Sequence, residues 1–196
     1  MEANFTLIPF AADIAPDIEI TGGIERRDNQ LTVEYKLVSK PKGRSPQENI
    51  SRSPREENSL LPMIIPPIAS NLTRQRDLWE HTCCEFFLGL PDSTEYWEFN
   101  LSPSGHWNVY HLLDYRQNLT EELAFDALPF QVSQEEDYWQ LQLKVDLHKI
   151  ISPKQNLAVG VTAVIEDRAS QLSYWALSHP AKEPDFHHRD AFILKL

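Results

Sequence analysis

The sequence has 196 residues, a hydrophobic fraction of 41% and a formal net charge of −11. This length and apolar content suit a single domain with a core of its own. Because an acidic surface repels phosphate backbones and anionic lipid headgroups, we expect neither a nucleic-acid partner nor a membrane partner.

The N-terminal end of the chain lacks the features of a secretory signal, since no basic segment there precedes an apolar stretch. No run of eighteen apolar residues occurs in the sequence, so we expect no membrane-spanning helix. Both observations predict a cytoplasmic protein.

Short apolar runs and a period of two dominate the chain, a pattern typical of β-strands. The predicted strands cover residues 5–10, 24–27, 31–38, 83–90, 96–101, 106–112, 138–146, 157–165, 173–177 and 192–196. Turn-forming residues separate the strands, and the pair Gly22-Gly23 is also interpreted as a turn. This arrangement predicts an all-β fold, either a sandwich or a barrel.

Alternation within single strands indicates an antiparallel sheet with one solvent-facing side. The apolar residues of strand 96–101 share one face: Trp97, Phe99 and Leu101. The opposite face of that strand carries Tyr96, Glu98 and Asn100. Residues 139–145 alternate in the same way between an apolar and a polar face.

Residues 41–62 break this rhythm, because they are rich in Pro, Ser, Glu, Asn, Arg and Lys. We predict a long mobile loop there, inserted into a single domain that covers residues 1–196. Residues 62–68 are predicted to form an extended segment against the core. A short helix is predicted either near 120–125 or at 147–151.

The two cysteines, Cys83 and Cys84, are neighbours in a predicted strand, so their side chains point to opposite faces. A disulfide between adjacent residues is strained. We therefore predict two buried, reduced thiols.

The segment at 78–116 contains a distinctive series of residues. Trp79 lies near a strand start, Glu85 follows six residues later inside a hydrophobic strand, and the run Trp97-Glu98-Phe99-Asn100 precedes Gly105. This series resembles the DOMON-like domains, relatives of the family 9 carbohydrate-binding modules. The segment at 173–192 resembles the closing strands of stand-alone bacterial DOMON-like proteins. The resemblance implies a β-sandwich of the jelly-roll or immunoglobulin-like type that binds sugars or haem.

For a sugar ligand, the resemblance implies that Trp79 and Trp175 clamp a ring between them. Aromatic side chains stack on the apolar faces of a sugar, and charged or amide groups bond its hydroxyl rim. The residues implied at that rim are Glu85, Glu98, Asn100, Asn108 and Arg116.

The same residues have a structural interpretation. Trp79 and Trp175 also suit a buried core, and Glu98 and Asn100 also suit a solvated face. Glu85 interrupts a strand that otherwise looks buried, where a charge is unfavourable unless it is paired or faces a cleft. Glu85 therefore either pairs with a cation, such as Arg116, or contacts a ligand.

A cluster of histidines and aspartates lies in the loop between residues 178 and 191: His179, Asp185, His187, His188 and Asp190. Its spacing fits no standard zinc site, so we interpret it as a structural loop or as part of the ligand site, with His179 as a candidate contact. Many relatives carry calcium, so the resemblance makes the oxygen-rich turn at 92–95 a candidate calcium site.

A haem ligand would need axial groups, and Met63 with His81 or His111 is the available pairing. The sequence contains no G-x-S-x-G motif and no phosphate-binding loop. Glu85 and Glu98 form a carboxylate pair of the kind that glycoside hydrolysis requires. The favoured prediction is a non-catalytic domain that binds a saccharide or another small molecule. The alternatives are a protein-docking subunit, a glycoside-active enzyme and a haem-binding domain.

Overall fold

The computed structural model describes residues 1–40 and 61–196, and this part of the chain forms twelve β-strands. In chain order they are β1 (Glu2–Pro9), β2 (Ile18–Arg27), β3 (Gln30–Ser39), β4 (Cys83–Gly89), β5 (Tyr96–Leu101), β6 (Trp107–Leu112), β7 (Thr120–Glu121), β8 (Phe130–Gln134), β9 (Tyr138–Asp146), β10 (Ala158–Glu166), β11 (Leu172–Ala176) and β12 (Leu194–Lys195). Two single turns of 3₁₀ helix lie at Leu78–Glu80 and Arg189–Ala191. Within these described ranges no helix has the length and apolar character needed to cross a membrane. The predicted all-β class is confirmed.

The strands form two antiparallel sheets. The first sheet has the order β8–β9–β3–β2–β1, and the second sheet has the order β7–β6–β5–β4–β10–β11. Strand β1 joins the two, because Ile8 and Pro9 at its end pair with β11. Strand β12 pairs with the beginning of β10. This is the predicted β-sandwich, with β4 in the interior of the second sheet.

Alternate residues of the two sheets meet in one hydrophobic core. From the first sheet come Leu31, Val33, Tyr35, Leu37, Trp139, Leu141 and Leu143; from the second come Cys84, Phe86, Leu88, Trp97, Phe99, Leu101 and Val161. Burying one large apolar side chain contributes roughly 1.5–3 kcal/mol, so this inter-sheet core dominates the stability. The predicted apolar faces of residues 96–101 and 139–145 are confirmed, but the predicted solvent-facing side is wrong for 96–101, because its polar face is buried as well.

One buried hydrogen bond connects the sheets directly. The Tyr35 hydroxyl, on β3, donates to the backbone carbonyl of Glu85 on β4. Phe5 packs edge-on against the Tyr35 ring, with 5.5 Å between ring centroids. These contacts fix the position of β4 above the first sheet, and with it the position of Glu85.

The segment that follows residue 60 lies against the core, as predicted. Met63 is buried, and the backbone amide of Ile64 donates to the carbonyl of Glu166 at 2.8 Å. The loop predicted at 41–62 falls outside the described residues up to residue 60. Of its last two residues, Leu61 belongs to the core.

Three local predictions are corrected by the structure. Residues 120–125 begin with β7 rather than a helix, and residues 147–151 make a single turn in which the amide of Ile151 bonds the carbonyl of Leu147 at 2.8 Å. Strand β8 was not predicted, since its polar residues lie at an exposed sheet edge. Gly22 and Gly23 lie inside β2 instead of forming a turn.

Gly22 has a packing role in this strand. A Cβ at Gly22 would overlap the backbone oxygen of Glu34 and the ring of Phe5, which crosses β2 at this point. A Cβ at Gly23 would meet its nearest neighbour, Asn4 Oδ1, at 3.3 Å, and this flexible side chain can move aside. The two glycines therefore have different structural requirements.

We expect Gly22→Ala to lower the free energy of unfolding by about 1–3 kcal/mol, because overpacking forces Phe5 or β3 to move. The matched variant Gly23→Ala should change it by less than about 1 kcal/mol. Urea unfolding followed by circular dichroism measures both. Equal losses in the two variants would contradict a specific role for Gly22.

Candidate functional site

The outer face of the second sheet, which points away from the core, is partly covered by the C-terminal loop (residues 177–193). Arg189 anchors this loop by donating to the backbone carbonyls of Leu90 and Ser93, at 2.8 and 3.3 Å. Phe192 packs against Phe87 and Tyr96 of the sheet, with centroid distances of 5.5 and 5.8 Å. The loop thus turns a flat sheet surface into a concave one.

A cavity of about 480 Å³ lies between the outer face of the second sheet and the C-terminal loop. It is lined by Trp79, Glu80, Glu85, Phe87, Glu98, Leu112, Arg116, Leu119, Val164, Leu172, Tyr174, Pro184, Phe186 and His187. Its volume falls within the range typical of small-molecule sites, and its lining combines apolar rings with a few ionisable groups.

Glu85 projects from the middle of β4 and is 2% exposed. One carboxyl oxygen, Oε2, accepts a hydrogen bond from the Thr162 hydroxyl at 3.3 Å. The other, Oε1, has no hydrogen-bond partner among the described residues. Burial and then the nearby charge of Glu98 raise the pKa of Glu85 well above its ordinary value, against weaker opposing contacts with Thr162 and Cys83.

Glu98 lies on the neighbouring strand β5 and is 4% exposed. Its Oε1 accepts from the side-chain amide of Asn100 at 2.8 Å, and within residues 1–40 and 61–196 its Oε2 receives no hydrogen bond. Burial raises the pKa of Glu98 to about 7, although the Asn100 bond and the charge of Arg116 act in the opposite direction. Asn100 Oδ1 is likewise buried and unbonded by the described part of the chain.

The guanidinium group that lines the cavity, Arg116, is already engaged. Arg116 Nη2 donates to Asp185 Oδ1 at 3.0 Å, and the Tyr115 hydroxyl donates to the other oxygen of Asp185 at 2.7 Å. The structural pairing of Glu85 with Arg116 that the sequence allowed is therefore wrong. Arg116 lines the cavity as half of an ion pair with Asp185.

His187 faces Glu98, with 3.9 Å between His187 Nε2 and Glu98 Oε2. Its other ring nitrogen lies 2.9 Å from the Tyr96 hydroxyl. Burial, with a further contribution from Arg116, lowers the pKa of His187 to about 4. The imidazole is therefore uncharged near neutral pH, and it does not neutralise Glu98.

Aromatic rings flank the two carboxyl groups. Trp79 packs against Tyr110 of β6, with 5.7 Å between centroids, and Phe186 packs against Tyr174 of β11, with 6.0 Å. Since β4 lies two strands from β6 and two strands from β11, Glu85 is located between these aromatic pairs. The cavity thus has acidic groups at its floor and aromatic rings on opposite sides.

The structure brings four of the sequence-predicted site residues together in this cavity: Trp79, Glu85, Glu98 and Arg116. Asn100 lies beside them and bonds Glu98. Asn108 pairs across β5 and β6 with Asn100 but does not line the cavity; it accepts from Arg74 Nη1 at 2.7 Å and donates to the backbone of Gln75.

Two further predicted residues lie outside the cavity. Trp175 belongs to the inter-sheet core and donates its indole hydrogen to the Ser173 hydroxyl at 2.9 Å. The His179 ring bonds the backbone carbonyl of Ile8 at 2.9 Å, at the junction between the two sheets. Trp175 therefore does not face Trp79 across the cavity, and His179 does not line the cavity.

Sequence reasoning missed Tyr174, Phe186 and the position of His187. The signal for Tyr174 was present, because neighbouring strand residues face opposite sides and Tyr174 adjoins Trp175. Choosing between them required the register of β11 in the sheet. Phe186 and His187 reach the cavity through a loop whose path no periodicity indicates.

Across the described ranges, no group of three or more His, Cys, Asp or Glu side chains is arranged to hold a metal ion. The turn at 92–95, the candidate calcium site, belongs to no such group; there Ser93 Oγ accepts from the amide of Glu95, and Thr94 Oγ1 donates to the carbonyl of Leu113. Glu95 Oε1 lies 2.6 Å from His111 Nε2.

Met63, the candidate haem ligand, is buried in the inter-sheet core. The predicted thiols Cys83 and Cys84 are free and buried, as expected.

No protein-family model matches the sequence, and no curated protein matches it. Among solved structures, a protein from Bacteroides uniformis to which carbohydrate binding is ascribed has a TM-score of 0.69 at 12% identity, covering 98% of this chain and 84% of that one. A family 9 carbohydrate-binding module from Caldicellulosiruptor kristjanssonii, in complex with cellotriose, has a TM-score of 0.49 at 11% identity, covering 92% and 74%. The first comparison shows a shared fold.

Glu98 and His187 should give opposite pH dependences of stability. The raised pKa of Glu98 favours folding at low pH, and this contribution is lost as the pH rises from about 4.5 to about 7. The lowered pKa of His187 has the reverse effect, because the unfolded state binds the proton more readily, so its contribution is lost as the pH falls from 6.5 to about 4.

We therefore expect the stability difference between the wild type and Glu98→Gln to fall with rising pH, and that between the wild type and His187→Gln to rise. Neither slope should exceed about 1.4 kcal/mol per pH unit. Urea unfolding at several pH values measures the differences, in which titrating groups that do not interact with the replaced residue cancel. Slopes of the same sign would contradict the assignment.

Proposed function

We propose that the protein binds a carbohydrate in this cavity and does not hydrolyse it. The observation that carries the proposal is the pair of buried carboxyl oxygens, Glu85 Oε1 and Glu98 Oε2, which receive no hydrogen bond from the described residues at the floor of an aromatic-walled cavity. A buried polar group without a hydrogen-bond partner is unfavourable, so such a group commonly bonds a ligand or a water molecule.

A sugar supplies what these oxygens lack. Its hydroxyl groups are donors that bond strongly to carboxyl groups, and its ring carries apolar C–H faces that pack on aromatic side chains. Trp79 on one side and Tyr174 with Phe186 on the other offer such surfaces. The ligand-binding role is thus supported by complementary chemistry at the floor and at the walls.

The overall fold supports the same proposal. The chain shares its sandwich with the Bacteroides uniformis protein over 98% of its length. The proposal also assigns the chain to the DOMON-like domains, because the residues at 78–116 resemble that family. In such a domain, Trp79, Glu85 and Glu98 would be the contacts that orient the sugar.

Protein docking is less well supported by the geometry. A docking surface is wide and has a largely apolar centre that excludes charged groups. Here the centre is a concave space with Glu85 and Glu98 buried beneath it. Burying two carboxyl groups under a partner protein would require that partner to supply matching donors at both positions.

Isothermal calorimetry with a panel of mono- and oligosaccharides tests the proposal. We expect a saturable heat with at least one sugar, and at least tenfold weaker binding by Trp79→Ala and by Glu85→Gln, equivalent to about 1.4 kcal/mol or more. Calorimetry is preferable to fluorescence because Trp79 is itself a fluorophore.

The control is His179→Ala, since His179 lies outside the cavity and should leave the affinity unchanged. Thermal unfolding should show that every variant is folded. Absence of binding to all sugars by the folded wild type would refute carbohydrate recognition. Turnover of nitrophenyl glycosides that disappears in Glu98→Gln would instead make the protein a hydrolase.

A further inference from the structure

The cavity is lined by more acidic groups than basic groups. Three carboxyl groups, Glu80, Glu85 and Glu98, line it together with one guanidinium group, Arg116. Arg116 is paired with Asp185, outside the carboxyl pair. Of the two cavity groups that can carry positive charge, one is therefore already neutralised and the other, His187, is uncharged near neutral pH.

Glu85 pairs across β4 and β5 with Asn100, whose side-chain amide donates to Glu98, so the two carboxyl groups are neighbours on the outer face of the sheet. In the free protein burial favours the protonated forms of this pair, and a neutral ligand leaves them protonated; in the ionised forms the two carboxylates would also repel each other. A cation placed between them attracts both. The strongest electrostatic complement to this floor is therefore a positively charged hydrogen-bond donor.

The walls of the cavity suit the same group. Aromatic faces attract cations through their quadrupole, and this attraction increases when water is excluded. Trp79, Tyr174 and Phe186 surround the floor from two sides. A primary ammonium also has three donors, enough to bond Glu85 Oε1 and Glu98 Oε2 together.

We propose that the ligand of this site carries a protonated amine, and, since this inference rests on the proposed carbohydrate binding, that it is an amino sugar. Its ammonium group lies between Glu85 and Glu98, and its ring lies between Trp79 and the Tyr174–Phe186 pair. The hydroxyl groups face the remaining polar atoms of the cavity.

Proton release accompanies this binding. In the free protein burial holds protons on the carboxyl pair, and an incoming ammonium stabilises the ionised forms, so a proton passes from the pair to the solvent. The other titratable or charged groups around the pair are Glu80, Cys83, Tyr96, Tyr110, Arg116 with its partner Asp185, Tyr174 and His187. The raised pKa values of Cys83, Tyr96 and Tyr110 keep these groups protonated near neutral pH.

Calorimetry with matched sugars tests the inference. Glucosamine, galactosamine and mannosamine are each compared with the parent hexose and the N-acetyl derivative, both neutral, at slightly acidic pH, where the amine is protonated. We expect at least one amino sugar to bind about tenfold or more tightly than both neutral counterparts. Titration in two buffers of different ionisation enthalpy should show net proton release for that sugar alone.

The variants locate the effect. Glu85→Gln and Glu98→Gln should each reduce the preference for the amino sugar to less than about threefold, since an amide keeps the shape but removes the charge. The control Glu136→Gln removes an exposed carboxylate in the turn between β8 and β9, so the preference should persist. Circular dichroism verifies that each variant is folded.

The outcomes separate the two proposals. Neutral sugars that bind as tightly as their amino counterparts would overturn the amine inference and leave carbohydrate binding standing. Failure of every sugar, charged or neutral, to bind the folded protein would overturn both. A preference that survives in Glu85→Gln and Glu98→Gln would also overturn the inference, because the charge would then be recognised elsewhere.

Discussion

Tyr35 and Glu85 form the contact on which the arrangement of the site depends. The hydroxyl of Tyr35 reaches from the first sheet to the backbone carbonyl of Glu85, so β4 is held against the core while the Glu85 side chain points outward. The outer side of the same strand is then covered by the C-terminal loop. A strand buried on both faces has no solvent-facing position for a carboxyl group, which is why Glu85 remains desolvated.

This desolvation opposes folding and is compensated elsewhere. Proteins have a small net stability, so unfavourable buried groups persist where the rest of the fold supplies enough stabilisation. Here the inter-sheet core supplies it. Phe86 and Phe99 lie on the inner faces of β4 and β5, the strands that carry Glu85 and Glu98, and their rings stack with 4.4 Å between centroids. Perturbed carboxyl groups beside a cavity are typical of functional sites. The same burial that weakens the free protein increases the electrostatic attraction available to a ligand.

The sequence predicts the strands well where alternation is strong, and less well at sheet edges. Strand β9 alternates cleanly, and its bounds agree with the prediction, whereas β8 is a short edge strand in which only Phe130 and Val132 pack partly buried against the core. The pair Gly22-Gly23 was interpreted as a turn, because local propensity cannot show that Phe5 needs that space. Glu85 was recognisable from sequence as a charge within an apolar run. Tyr174 was not, since a shift of one residue exchanges the two faces of β11.

The C-terminal loop explains why the remaining half of the site escapes sequence reasoning. Its path is set by long-range contacts: Arg189 bonds the carbonyl of Leu90, and Phe192 fits over Gly160, where a side chain would collide with the ring. Both contacts are made with the second sheet and its turns, so the positions of Phe186 and His187 depend on the assembled sheet. The cavity therefore combines an acidic floor on β4 and β5 with a wall formed by a loop packed against that sheet. Such loops commonly carry binding residues because a rigid scaffold positions them. Here the free energy of ligand binding therefore depends on the free energy with which the C-terminal loop packs against the sheet.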